Sequence, residues 1–412
     1  MSTGTANLDC RGTPYPEAGS AIIESYNMLT AGARMEVTLD AYPAGLRVWL
    51  LEAGAWHTTE RHGENGWLLH IKRGLTPAQG SIPGVHHVVC DVDSVWTCER
   101  AQWVARIDVH SRRVVASRQV ACKASHLALG AKSRRLFIAD SGGNEVIALR
   151  AADLEVEQRW PAPGGPQLPL ASGDGIVCVS GPASGTLTIA RPRGAAYEVQ
   201  TINVGACPHD PLLSADGEHV FVPCAGDSVI VKVRLADGRV AGRCEIGDGP
   251  SHLALHPDGT RLYSANSWDG TLACMSADGE RIASAPSGRW AHAIDVAPDG
   301  RWVYVANFMD DTVAVFDAVT LERASLLATD AYSHGIDVSP DGRYLITTGF
   351  AADAVRVFEA GTHRELAHIT VGQGSSHTAF AGNHAYIGCS VSDYVACVDL
   401  ATLAVTERIS IH

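Results

Sequence analysis

A histidine stands at the same point of seven of the eight repeats of this chain, at nearly constant intervals, with Gln167 in its place in the third. In order the segments read GVHHVV (His86, His87), KASHLAL (His126), GPQLPL (Gln167), CPHDPL (His209), GPSHLAL (His252), RWAHAID (His292), AYSHGID (His334) and GSSHTAF (His377). From His86 the steps are 40, 41, 42, 43, 40, 42 and 43 residues. So even a period means one structural unit used eight times, each unit burying its apolar face against its neighbours. Within a unit such as 252–286, short runs rich in β-branched and aromatic residues alternate with turn chemistry, Pro257-Asp258-Gly259 and Trp268-Asp269-Gly270. The Asp-Gly pair recurs at Asp174, Asp216, Asp258, Asp299 and Asp341, as a tight hairpin between first and second strands requires. Four antiparallel strands per unit and no helical period predict an all-β, eight-bladed β-propeller over 84–412. The last unit ends at 409–412 with its own fourth strand, so first and last blades should meet by packing rather than through a shared strand.

The segments APDGRWVYVANFMDDTVAVFD (297–317) and SPDGRYLITTGF (339–350) resemble the YVTN family of propeller repeats, and the resemblance spans about 83–412. It implies the fold. Dihaem nitrite reductases carry an eight-bladed propeller of related build around a d-type haem, which makes d-type haem a cofactor to consider.

Composition narrows the function classes. The chain has 412 residues, 46% hydrophobic and 19% charged, enough to bury a full core. A net charge of −13 excludes a nucleic-acid role, because phosphate backbones attract clustered Lys and Arg. No apolar run is long enough for a membrane span, and the charge points to no membrane surface. The start, MSTGTANLDCRG, lacks a basic region followed by an apolar one, so a cytoplasmic location is expected. Eleven cysteines without a CxxC pair read as reduced thiols, with Cys178, Cys274, Cys389 and Cys397 as core packing.

Residues 6–74 do not follow the repeat. NLDCRG reads as a strand, PEAGSAIIESYNML as a helix opened by Pro16, RMEVTLD as a strand and PAGLRVWLLEAG as a helix. WHTTERHG and GWLLHIK then form a hairpin across Glu64-Asn65-Gly66. The order βαβαββ predicts a small two-layer α/β domain at 1–76, joined by a linker at 77–83. From Leu8-Asp9-Cys10-Arg11-Gly12 to Arg73-Gly74 it resembles the TusA/SirA family of sulfur carriers. In that family LDxRGxxCPxP sets a persulfide-carrying cysteine at the first helix N-terminus, where the thiolate is favoured. Here Tyr15 replaces that cysteine and Ala18 the second proline, in Gly12-Thr13-Pro14-Tyr15-Pro16-Glu17-Ala18. Tyrosine holds no persulfide, so the carrier chemistry does not transfer. Cys10 reads as a core residue. The resemblance implies a docking module for sulfur-carrier or sulfurtransferase proteins.

In a propeller the first strand of each blade lines the central channel, so the recurring histidines should gather at the channel mouth. Converging neutral imidazoles are nitrogen ligands for zinc, copper, nickel or iron. In YVTN repeats a histidine before the first strand also serves to satisfy backbone groups in the turn. Seven of eight exceeds that need. The expected metal ligands are His86, His87, His126, His209, His252, His292, His334 and His377, with His209, His252, His292 and His334 foremost because their blades are consecutive. Only neighbouring blades can share one ion. Copper is favoured, since all-nitrogen polynuclear sites suit it, and the arrangement resembles the histidine-lined copper clusters on propellers of nitrous oxide reductases and thiocyanate-oxidising enzymes. Register complicates this. His209, His292, His334 and Gln167 lie seven residues ahead of the turn aspartate, whereas His252 lies six ahead, and His126 and His377 share its wording. Side chains alternate along a strand, so a regular strand would turn the two groups to different sides, whereas an irregular strand start would reconcile them; the alternatives are two subsets of ligands or one circle. Cys207 and Asp210 place a thiol and a carboxylate beside His209. Trp268 and Phe308 are candidates to wall a flat cofactor, and Asp269, Asp310, Asp311 and Asp353 read as turn formers. Three readings follow. One is a metal-dependent oxidoreductase for a small inorganic sulfur or nitrogen compound, the second a d-type haem protein, and the third a non-enzymatic scaffold in sulfur trafficking.

Overall fold

Short β-rich runs punctuated by Asp-Gly turns do form hairpins. In the computed structural model, which describes residues 5–13, 21–22, 25–26, 28–29, 34–39, 56–62, 66–72, 85–99, 102–120, 123–194, 196–330, 333–349 and 352–411, the chain divides into two compact units, Met1–Pro83 and Gly84–His412. Among the described residues the second unit holds eight four-stranded antiparallel sheets, each made of consecutive strands. This is a β-propeller, and its sheets are numbered here one to eight in chain order. At the hairpins Gly259 and Gly300 adopt φ of 75° and 74°, a left-handed conformation that side chains disfavour. The preceding aspartate locks the turn: Asp258 Oδ1 accepts the Thr260 N–H at 2.8 Å, and Asp299 Oδ1 the Arg301 N–H at 2.9 Å.

Sheets pack face to face through their buried second and third strands, while fourth strands such as Arg281–Pro286 lie largely in solvent. The third residue of the second strand is a recurrent anchor. Trp96 Nε1 donates to the Ala151 carbonyl at 2.9 Å, Tyr263 Oη to Ala318 at 2.7 Å and Tyr304 Oη to Ala360 at 2.8 Å, each reaching the next sheet. Sheets eight and one share no strand; Val85, Val88 and Ile107 pack with Ala379, Tyr386 and Val395 in one core. The Ser376 hydroxyl donates to the His86 carbonyl at 2.6 Å across the same junction. Cys178, Cys274, Cys389 and Cys397 are buried free thiols, and burial pushes Cys178 up to about 12.

In the first unit, Thr5–Asp9 runs parallel to Arg34–Leu39, which pairs antiparallel with Gly66–Lys72, and Trp56–His62 completes the sheet. A parallel pair requires a crossover, and residues 21, 22, 25, 26 and 28 between them are helical. Ile22 and Tyr26, one turn apart, bury against Cys10, Met35, Val37, Leu69 and Ile71. Burial, with the Asp9 charge beside it, raises the Cys10 thiol, the opposite of what a persulfide carrier needs. Tyr15, the helix start at Pro16, the expected second helix and the linker 77–83 lie outside the described residues. Among the described residues no helix is long and apolar enough to cross a membrane.

Candidate metal centre

The opening strands of the sheets are irregular where the histidines sit. In sheets one, two, five, six, seven and eight the first strand carries one residue more than its partner, a β-bulge at or beside the histidine. Sheet four departs differently: an isolated bridge, Pro208 to Cys224, precedes the strand Leu212–Leu213, and Cys207 adopts φ of 49°. Only sheet three, which carries Gln167, opens without a bulge, on the short strand Pro169–Ala171. An inserted residue re-aims the side chains around it. Of the two alternatives for the histidine registers, the irregular strand start is the one found: alternation fails at that point, and both groups meet.

They meet as a continuous row. Ring centroids are 5.0 Å apart for His209 and His252, 4.3 Å for His252 and His292, 5.2 Å for His292 and His334, and 5.1 Å for His334 and His377. The row continues from His377 to His87 at 4.7 Å and from His87 to His126 at 5.0 Å. His86 lies beside it, 5.1 Å from His126, 5.2 Å from His377 and 6.2 Å from His334. All eight expected ligands thus join one assembly over seven sheets, and sheet three, with Gln167, interrupts it.

Burial sets the charge of three members of the row. It pushes His87 down to about 4, and it lowers His292 and His377 well below the usual imidazole range, with neighbouring imidazoles acting in the same direction. These rings are neutral near pH 7 and keep a nitrogen lone pair. His87 Nδ1, His292 Nδ1 and His377 Nε2 are buried without a hydrogen-bond partner. Each such atom costs about 1–3 kcal/mol, and a bound cation is one of the few things that relieves it. Within the row two triplets are tight enough to hold an ion, His86 with His126 and His377, and His209 with Asp210 and His252, the ligand atoms of each lying within 4.8 Å of one another; a third group among the described residues, Asp216, Glu218 and His219, lies outside the row. Metal–nitrogen bonds of about 2.0–2.1 Å place two ligands on one ion at most ~4 Å apart, so small inward shifts suffice.

Asp210 is the carboxylate of the row. Its Oδ2 is 3.1 Å from His252 Nε2 and its Oδ1 3.3 Å from His209 Nδ1. Burial pushes its carboxyl upward, but the charges and hydrogen bonds of His209 and His252 outweigh that and hold it well below the usual range. Cys207 takes no place in either triplet, and burial raises its thiol. Phe308 is buried behind His292, with ring centroids 5.9 Å apart, and Trp268 packs over Gly249, where an added Cβ would come within 2.4 Å of the indole.

Asp269 and Asp310, read as turn formers, do more than close turns, and Asp140 and Asp227, which the sequence did not single out, act in the same way. Asp140 accepts the Lys123 N–H at 2.9 Å, Asp227 that of Ala206 at 2.8 Å, Asp269 that of Asp248 at 2.8 Å and Asp310 that of Arg289 at 2.7 Å. Each clamps the backbone three or four residues ahead of a row histidine. Hydroxyls hold the carbonyls freed by the irregular strands: Ser180 donates to the His209 carbonyl at 2.6 Å and Thr97 to that of His87 at 2.9 Å. The imidazoles are positioned by these groups.

Three residues beyond His292 and His334 stand Asp295 and Asp337, at strand positions that hold Ala254 and Ala379 in the flanking sheets. Asp295 accepts the Val296 and Val338 N–H groups, each at 2.8 Å. Burial pushes Asp295 up to about 6, and burial with the Asp295 charge pushes Asp337 up to about 8. A carboxyl raised in the fold keeps a proton that the unfolded chain has released above its ordinary value of 3.8. Stability from these two groups is therefore full in acid and falls as pH rises from about 4 to about 8. Urea midpoints between pH 5 and pH 8.5 should decline for the native chain and far less for Asp337→Asn. Parallel declines in the two proteins would show that Asp337 titrates normally.

The fold and the histidine row together define a β-propeller with a candidate transition-metal centre at its channel. Residues 198–332, about a third of the chain over sheets four to six, match the family model "Lactonase, 7-bladed beta-propeller". That family is described with seven blades, whereas eight four-stranded sheets stand among the described residues of the second unit. No curated protein matches the chain. Among solved structures it is similar to dihydro-haem d1 dehydrogenase NirN in complex with DHE, at 16% identity and a TM-score of 0.61, covering 70% of this chain and 67% of that one. It is similar to Kuenenia stuttgartiensis hydrazine synthase at 16% identity and a TM-score of 0.55, covering 67% and 95%. A putative 6-phosphogluconolactonase from Bacteroides fragilis matches at 17% identity and 0.55, covering 71% and 95%.

Proposed function

We propose that this protein is a metal-dependent oxidoreductase whose histidine row binds copper and acts on a small inorganic sulfur or nitrogen compound. The row belongs to an eight-bladed propeller that closes by packing sheet eight on sheet one. The observation that carries the reading is the contact of eight imidazoles in one row, with buried ring nitrogens of His87, His292 and His377 lacking any hydrogen-bond partner. Turn filling does not account for them, since a histidine that satisfies a turn is bonded to it. His86, His126 and His377 would hold the metal through nitrogen alone, a ligand set that suits copper. Bound metal would supply redox or Lewis-acid chemistry, and imidazoles of the row left uncoordinated would hold or pass protons. The unit at 1–76 serves as a TusA-like docking module for sulfur-carrier or sulfurtransferase proteins, which directs the substrate towards sulfur.

A second reading, d-type haem, is favoured by the fold shared with NirN, whose structure holds DHE. Rings 4.3–5.2 Å apart from His209 to His377 leave no gap for a macrocycle among them, so a haem would have to lie above the row. Elemental analysis and absorbance of protein purified without a histidine tag separate the readings. Stoichiometric copper without a Soret band is the expected result. A Soret band would assign the site to haem, and protein free of both metal and chromophore would leave an adaptor scaffold.

A further inference from the structure

The two ends of the imidazole row differ in chemistry. The triplet of His86, His126 and His377 offers nitrogen alone, whereas the triplet at the other end, His209 and His252 with Asp210, includes a carboxylate. Adjacent residues of a regular strand face opposite ways. His209 and Asp210 instead lie in the irregular stretch after the Pro208 bridge, with Pro208 and Pro211 restricting the backbone on either side, and both reach His252 or its neighbourhood. The carboxylate spans the pair, 3.1 Å from one imidazole and 3.3 Å from the other. His292 closes the far side. Its ring is 4.3 Å from that of His252, it is 8% exposed, and its Nδ1 is buried without a hydrogen-bond partner.

We infer that His209, Asp210 and His252 form a second metal site, separate from the all-imidazole one and selective for ferrous iron. Two imidazoles and one carboxylate with open positions form the ligand set of non-haem Fe(II) centres, while nitrogen-only sites favour copper. The charge of Asp210 offsets part of the charge of a divalent ion, which His86, His126 and His377 cannot do for theirs. The site keeps three coordination positions for water or a small ligand, with His292 at its edge. The inference rests on the reading of the row as a metal centre and adds that the row is heteronuclear.

Anaerobic equilibrium dialysis of the metal-free, untagged full chain against Fe(II) and Cu(I) together tests it. The native protein should take up both metals. Asp210→Asn should lose iron affinity by about 100-fold and keep copper within about threefold, as the loss of a direct ligand exceeds the 10–100-fold seen for outer partners. His377→Ala should do the reverse. Asp210→Glu, which keeps the carboxylate, should retain iron and guards against a folding defect in the asparagine variant. Unchanged iron in Asp210→Asn, or equal loss of both metals in both variants, would overturn the second site. Copper uptake with no iron overturns it too, while leaving the copper reading intact. A native chain that takes up neither metal ends both.

Discussion

Alanine at His377 is expected to weaken copper binding by at least about 100-fold, yet to leave the metal-free protein nearly as stable as the native one. The asymmetry follows from the Nε2 of His377. It is buried without a hydrogen-bond partner, and burial keeps the ring neutral, so the metal-free fold carries its desolvation cost with nothing to offset it. Removing the ring trades that cost against lost packing with His87 and His334, whose centroids lie 4.7 and 5.1 Å away. The metal-bound state has no such exchange. At a free metal concentration 100 times its dissociation constant, binding adds about 2.7 kcal/mol to the native protein, and the variant should forfeit most of that. Thermal melts with and without copper check it: a large metal-induced shift in the native chain, and little in His377→Ala. Equal shifts would show that His377 is not a ligand.

The largest purely structural loss should come from Trp96→Ala. Trp96 is fully buried between sheets one and two and donates its indole N–H to the Ala151 carbonyl. Truncating a buried aromatic costs about 3–5 kcal/mol, and here the carbonyl also loses its donor. Tyr304→Phe keeps the ring and removes only the bond to Ala360, so about 1 kcal/mol is expected. The drops in denaturant midpoint from the native value should stand in the corresponding ratio for the two variants. A similar small loss in both would mean that sheets one and two are held together by something other than the aromatic wedge.

Much of the propeller was legible because its signals are local. A strand of six residues and an Asp-Gly turn need only their own neighbourhood, so Arg261–Asn266 and the turn at Asp258-Gly259 are readable as they stand. The row was half legible. Counting repeats found its members, the interruption at Gln167 and their gathering at the opening strands, but left open whether the two registers share a side, because one inserted residue per strand changes which side a histidine faces and leaves no mark in composition. The pairing of Asp210 with His252 joins residues in neighbouring repeats. The bonds from Asp269 to Asp248 and from Asp310 to Arg289 likewise close over stretches that no turn rule covers. Asp295 and Asp337 did leave a signal: AHAIDV and SHGIDV each place an acid at the same point of a buried strand.

Eight alike units would ordinarily yield eight interchangeable berths, and nothing in such a circle says where a guest begins. The glutamine of sheet three breaks that equivalence. It gives the line of imidazoles a head beside Asp210 and a tail at His126. The two ends of the row are thus chemically distinguishable, an asymmetry that identical repeats alone would not provide.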